Sequence, residues 1–178
     1  MHPCHRLFFA LRPPEGARPY LIEEQHRFGP GHIIRDEHLH LTAAISNDYQ
    51  VYPSILEKRM LVIGDSVVAD RFSIVLDQVA AQGEAVVMCS SEPLRSCTAF
   101  QRHLMRMMAR GGVANRTGWY PHPHVTLLYR YGWPLLEWAD PLSWVATEFV
   151  LIHSHVGFTR HRELGRWPLR VPAAPTLH

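Results

Sequence analysis

The 178-residue chain carries one lysine, Lys58, among its 18 basic residues, the rest being arginine. Its formal net charge of +2 is far from the basic excess or basic stripe that marks a polyanion-binding module. Cysteine is scarce too. Cys4, Cys89 and Cys97 are an odd number at spacings that fit no zinc or redox pattern, which argues against a disulfide framework and fits thiols in a reducing compartment. No uninterrupted apolar run approaches the roughly 18 residues of a membrane span. The N-terminal run at 7–11 is clamped between Arg6 and Arg12 and is too short for a signal-peptide core. A cytoplasmic chain is expected, with no membrane and no obligate protein partner. No glycine-rich phosphate loop follows any strand candidate, so a doubly wound nucleotide-binding fold loses support.

What is present is the composition of a folded globular protein: 47% hydrophobic residues, 19% charged, and 5 Trp, 6 Tyr and 7 Phe. Apolar periodicity and the Gly/Pro breakers predict strands over 6–11, 38–45, 70–79, 84–89, 122–131, 144–153 and 167–171, before a Pro-rich tail. Helices are predicted over 15–28, 48–63 and 91–110. Strands and helices in this mixed order imply an α+β fold rather than a parallel sheet. No long linker divides the chain, which reads as one domain over 1–178.

Among 13 histidines, one short pattern occurs twice: His40-Leu41-Thr42 and His124-Val125-Thr126. In a strand, residues i and i+2 share a face. His38, His40 and Thr42 therefore form one polar row, and His122, His124 and Thr126 form another. An unpaired buried imidazole or hydroxyl costs a few kcal/mol, so two such rows are expected to line a wet cleft. A threonine hydroxyl can hold a phosphoryl oxygen while the adjacent imidazole moves a proton. Two facing units make a phosphate clamp with an acid on one side and a base on the other. His153 and His155 make a third His-x-His pair, and three pairs raise the idea of a metal; threonine is a poor zinc ligand, and no metal or cofactor is expected. Trp119, Tyr120, Tyr129 and Trp133 flank the second motif and could stack a base or pack the rim.

On these motifs the chain resembles the 2H phosphoesterase superfamily, in particular the bacterial 2′-5′ RNA ligase and RNA 2′,3′-cyclic phosphodiesterase (LigT-like) family. The likeness covers most of the chain: the opening run from Arg6 to Pro13, His38 to Thr42, Pro123 to Leu127, Phe149 to Leu151 with Ser154, and Arg166 to Leu169. It implies a bilobal α+β fold with pseudo-two-fold, duplicated antiparallel sheets, helices outside and a central cleft. It further implies metal-independent hydrolysis of 2′,3′-cyclic phosphates of RNA ends or nucleotides to 2′-phosphates, with 2′-5′ ligation as the reverse. His40 would be the proton donor, His124 the acceptor, and Thr42 and Thr126 the phosphate-holding hydroxyls. His38, His122, Tyr129 and Arg130 are candidates to touch substrate. The family often places an arginine where this chain has Tyr129; alternation would put Arg130 on the histidine face unless a bulge reverses it. An expected tyrosine near the C-terminus is replaced, with His161 in its neighbourhood. The alternative is a non-catalytic nucleotide or RNA-end binding module with the same cleft.

Overall fold

The computed structural model describes residues 4–158 and 160–172; residues 173–178 of the expected tail lie outside them. In chain order the elements are β1 (Cys4–Leu11), α1 (Arg18–Phe28), β2 (His32–Ile33), β3 (Leu41–Ile45), α2 (Ser54–Ser66), β4 (Phe72–Gln82), β5 (Ala85–Cys89), α3 (Arg95–Arg110), β6 (His124–Tyr129), β7 (Leu135–Ala146), β8 (Glu148–Val156) and β9 (Arg160–Pro168). All named strands pair antiparallel in one open sheet of order β7-β4-β5-β6-β3-β1-β8-β9, with β2 added beside β6. The expected α+β fold is therefore present. The two expected sheets are two four-stranded halves of one sheet, joined where β3 meets β6 at a single register pair, Leu41 opposite Val125.

The helices cover one face. Cys97, Phe100, Leu104 and Met108 of α3 recur at helical spacing and are buried with Leu41 and Val125 in the main core. Leu21 and Phe28 of α1 and Met60 and Ile63 of α2 enter the same core. Burying a Leu, Phe or Met side chain contributes about 1.5–3 kcal/mol relative to exposure, so this face dominates folding. The opposite face carries only a small cluster of Phe8, Ala10, Ile45, Val150 and Ile152 with Trp119 beside it. That face is left open for a site.

Several boundaries differ from the sequence reading. The strand expected over 38–45 begins at Leu41, because Asp36–His38 closes as a 3-10 turn in which the Arg35 and Asp36 carbonyls accept from the His38 and Leu39 amides. The helix expected over 48–63 begins at Ser54, after Pro53, while Asp48 is held by Arg6 and Arg116. The strand expected over 122–131 starts at His124 and ends at Tyr129, since Pro121 and Pro123 have no amide to donate. The single strand expected over 144–153 is two, β7 and β8, turning at Thr147. The last strand is β9, ending at Pro168, rather than 167–171.

Candidate active site

Leu41 and Val125 are fully buried and point into the helix-covered core. Strand alternation then turns their neighbours His40, Thr42, His124 and Thr126 to the opposite face. All four line one cavity of about 330 Å³. Because an antiparallel pair has a local two-fold axis, the pairing of the two middle residues sets each motif's histidine beside the other motif's threonine.

The imidazoles are anchored in the same way. His40 Nδ1 lies 2.6 Å from the carbonyl of His38, and His124 Nδ1 lies 2.7 Å from the carbonyl of His122. A carbonyl only accepts, so in each ring Nδ1 carries the proton and donates it. Nε2 is left as the nitrogen available to a ligand in both rings. Burial pushes His40 down to about 4, against the raising effect of the His38 carbonyl and with the like charge of His124 adding to the fall. Burial lowers His124 as well, again opposed by its carbonyl. The free site at neutral pH thus holds two uncharged bases.

Around this pair, Phe8 packs its ring 4.8 Å from that of His40. Arg6 lines the cavity, yet its guanidinium is held by Asp48 through two hydrogen bonds of 2.6 and 2.8 Å. His161 sits beside His38 and His40, with ring centroids 4.2 and 5.6 Å away. Burial, then the charges of His40 and His38, push it down to about 3, and its Nδ1 is buried without a partner.

The four candidate substrate contacts divide. His38 lines the cavity even though it sits in a turn rather than on a strand, and Tyr129 lines it too. Arg130 does not line it. Val86 pairs with Leu128 and Val87 with Thr126, so Leu127 is an extra residue and β6 bulges there. The bulge shifts the parity: Leu127 and Leu128 are both buried, and Tyr129 instead of Arg130 joins Thr126 on the cavity face. His122 lies outside the cavity, against a shallow surface formed with Cys89, Pro121 and Pro123. It still anchors His124 through its carbonyl. Arg35 and His32 enter the cavity wall without having been singled out; the signal for them was weak, because the strand carrying His32 is only two residues long. Among the described residues, no three His, Cys, Asp or Glu side chains are grouped to hold a metal ion, and no helix is long and apolar enough to cross a membrane.

No family model and no curated protein matches the sequence. Solved structures do match. E. coli LigT in its apo form aligns with a TM-score of 0.75 and 27% identity, covering 94% of this chain and 99% of that one. A crystal structure of a phosphoesterase gives 0.73 and 28% identity over the same shares of 94% and 99%. A Thermus thermophilus protein, TT0787, at 19% identity supports the fold alone, with a TM-score of 0.70 over 94% and 100%. An open antiparallel sheet with paired His-x-Thr segments at its centre, aligned along nearly its whole length with phosphoesterases, defines a 2H phosphoesterase. Its 27% identity and near-complete overlap with apo LigT carry the assignment one level further. By fold and near-complete overlap the chain is LigT-like.

Proposed function

We propose that this protein hydrolyses 2′,3′-cyclic phosphates of RNA ends or nucleotides to 2′-phosphates without a metal, and that the same site run backwards joins RNA ends through a 2′-5′ linkage. The observation that carries this is the convergence of both His-x-Thr segments on one cavity, each imidazole tethered through Nδ1 and free at Nε2. E. coli LigT has been crystallised with 3′-AMP, with phosphate, with ATP and with NADP+, which supports RNA ends or small nucleotides as the ligand class here.

In this mechanism the Thr42 and Thr126 hydroxyls donate to the non-bridging phosphoryl oxygens. His124, neutral at Nε2, takes a proton from the attacking water as its oxygen bonds to phosphorus. The P–O3′ bond breaks on the far side, and His40 Nε2–H delivers its proton to O3′. A 2′-phosphate and a 3′-hydroxyl result. His40 is uncharged in the free protein near pH 7, so the donor proton is taken up as the anionic ring arrives and favours the charged imidazole.

Hydrolysis of a 2′,3′-cyclic mononucleotide in excess chelator tests the proposal, with His40→Ala and His124→Ala as controls. Unchanged turnover in either variant, or turnover abolished by the chelator, overturns it. The low value of His40 favours a second reading, a nucleotide or RNA-end binding module that keeps the clamp without turnover. Tight binding of a 2′-phosphorylated nucleotide with no hydrolysis over hours selects that reading.

A further inference from the structure

Behind His38 and His161 lies a second, more open cavity of about 740 Å³ that the reaction above does not use. Arg35, His38, His155 and His161 line both spaces, so the two cavities share a wall. The rest of the second cavity is formed by His5, Tyr52, His153, Arg160 and Arg162, together with Glu37. Three guanidiniums therefore face one lining carboxylate, which itself lies 4.0 Å from Arg35.

These groups are ordered rather than loosely scattered. Arg162 donates to the Tyr52 hydroxyl at 2.7 Å and lies over the Tyr52 ring, and that hydroxyl donates to Glu57. His5 stacks on His153 and on His155, with centroids 5.1 and 4.7 Å apart, and its Nδ1 is 2.9 Å from His153 Nε2. Nitrogens that close share a single proton, and a second proton becomes favourable only when an anion sits nearby. Forked guanidiniums beside imidazoles suit a phosphate.

A strand that ends in a 2′,3′-cyclic phosphate continues only through its 5′ oxygen. The neighbouring phosphate of such an end is therefore the 5′-phosphate of the same nucleotide. We propose that the second cavity is a phosphate subsite for this 5′-phosphate, with Arg160 and Arg162 as its cationic contacts. The inference rests on the reading that the first cavity takes the cyclic phosphate. It makes the substrate a nucleotide that carries phosphate at both ends of its ribose, as in an RNA terminus, and a nucleoside 2′,3′-cyclic phosphate with a free 5′-hydroxyl a poorer one.

Three substrates with the same reacting ring test it: adenosine 2′,3′-cyclic phosphate, the same compound with a 5′-phosphate, and a dinucleotide with a cyclic end. Each is assayed with the native chain, Arg160→Ala and Arg162→Gln. The expected result is a kcat/KM about ten-fold higher for both phosphate-bearing substrates than for the first, as one charge-assisted contact would supply. That advantage disappears in the two variants, while the simplest substrate is cleaved as before, which also shows that the variants are folded. A gain confined to the dinucleotide overturns the subsite, because sugar or base rather than phosphate is then recognised. So does an equal effect of the substitutions on all three substrates, or no effect on any. If the native chain cleaves none of them, the first-cavity reading fails, and calorimetry decides the subsite separately. Adenosine 2′,5′-bisphosphate should then bind about ten-fold more tightly than adenosine 2′-phosphate, with the difference lost in Arg160→Ala. Equal affinities, or no binding, overturn it.

Discussion

Leu41 and Val125, the middle residues of the two His-x-Thr segments, are the one register pair that joins the two halves of the sheet. Their burial in the core turns the four flanking histidine and threonine side chains into one cavity. The site is thus a by-product of the seam, and a change at the seam should act on catalysis and folding together. Val125→Ala removes two methyl groups from a fully buried position and is expected to cost about 2 kcal/mol. Denaturant unfolding measures that cost. Turnover in the proposed reaction, hydrolysis of a 2′,3′-cyclic nucleotide measured on the folded fraction, should fall as well, whereas a purely structural role would leave it intact.

The two imidazoles and two hydroxyls should separate kinetically. Replacing His40 or His124 by alanine is expected to lower kcat by about 10²–10⁴-fold, the usual contribution of one positioned proton-transfer group. Replacing Thr42 or Thr126 by valine keeps shape and removes a donor, so the expected loss is near ten-fold in kcat/KM. Steady-state kinetics on a 2′,3′-cyclic nucleotide checks both; a threonine variant as damaged as a histidine variant contradicts the division of labour.

Acid should weaken the fold. His40 is at about 4 in the folded chain and near 6.5 when unfolded, so below pH 6.5 the unfolded chain binds more protons. The stability this group contributes is complete above pH 6.5 and is lost as pH falls through 4, about 3 kcal/mol in all. His161, at about 3, adds to the same trend. Urea midpoints at pH 7, 5.5 and 4.5 should therefore decrease, with a flatter slope in a His40→Gln, His161→Gln double variant. Catalysis runs the other way at first: a donor that must be protonated places the kcat/KM optimum below pH 6.5. An optimum above pH 8 would contradict His40 as donor.

How much of this was legible in the sequence follows sheet position. The central strands β1, β3, β5 and β6 are apolar on the core face and lie within or over the expected runs, β3 and β6 being shorter than expected, and α3 follows its helical apolar spacing. The edge strands β7 and β9 were missed or displaced. β7 holds Glu137, Asp140 and Pro141, and its register against β4 breaks between Trp138 and Leu142; β9 opens with Arg160, His161 and Arg162. An edge strand needs only one paired side and is protected by charge and proline, so it loses the alternation by which strands are recognised. The second cavity is built partly from β9, which is why it was invisible from sequence. The motifs themselves were legible because they lie at the centre.

The Leu127 bulge makes a sharper case. Simple alternation puts Arg130 with Thr126; the extra residue puts Tyr129 there. Tyr129→Ala should raise KM for a cyclic nucleotide several-fold, because base–aromatic stacking contributes about 1–3 kcal/mol. Arg130→Ala should leave KM unchanged. The reverse pattern would mean that Arg130 reaches the substrate.

Gly64 tests the packing of α2 against β9 at a position that lines neither cavity. In an exposed helix interior, Gly→Ala stabilises by about 1 kcal/mol. Here a methyl at position 64 would overlap the Trp167 indole, which is stacked 5.2 Å from Phe149 and donates to Asp65 at 2.7 Å. The ring is held on two sides and cannot retreat cheaply, so the clash outweighs the gain in propensity. Gly64→Ala is expected to destabilise by about 1–3 kcal/mol and lower Tm by several degrees. Thermal unfolding followed by tryptophan fluorescence measures this directly. Activity per folded molecule should stay the same, since neither cavity includes position 64 or Trp167. A rise in Tm would show that the indole can shift and that the contact between α2 and β9 is looser than its geometry indicates.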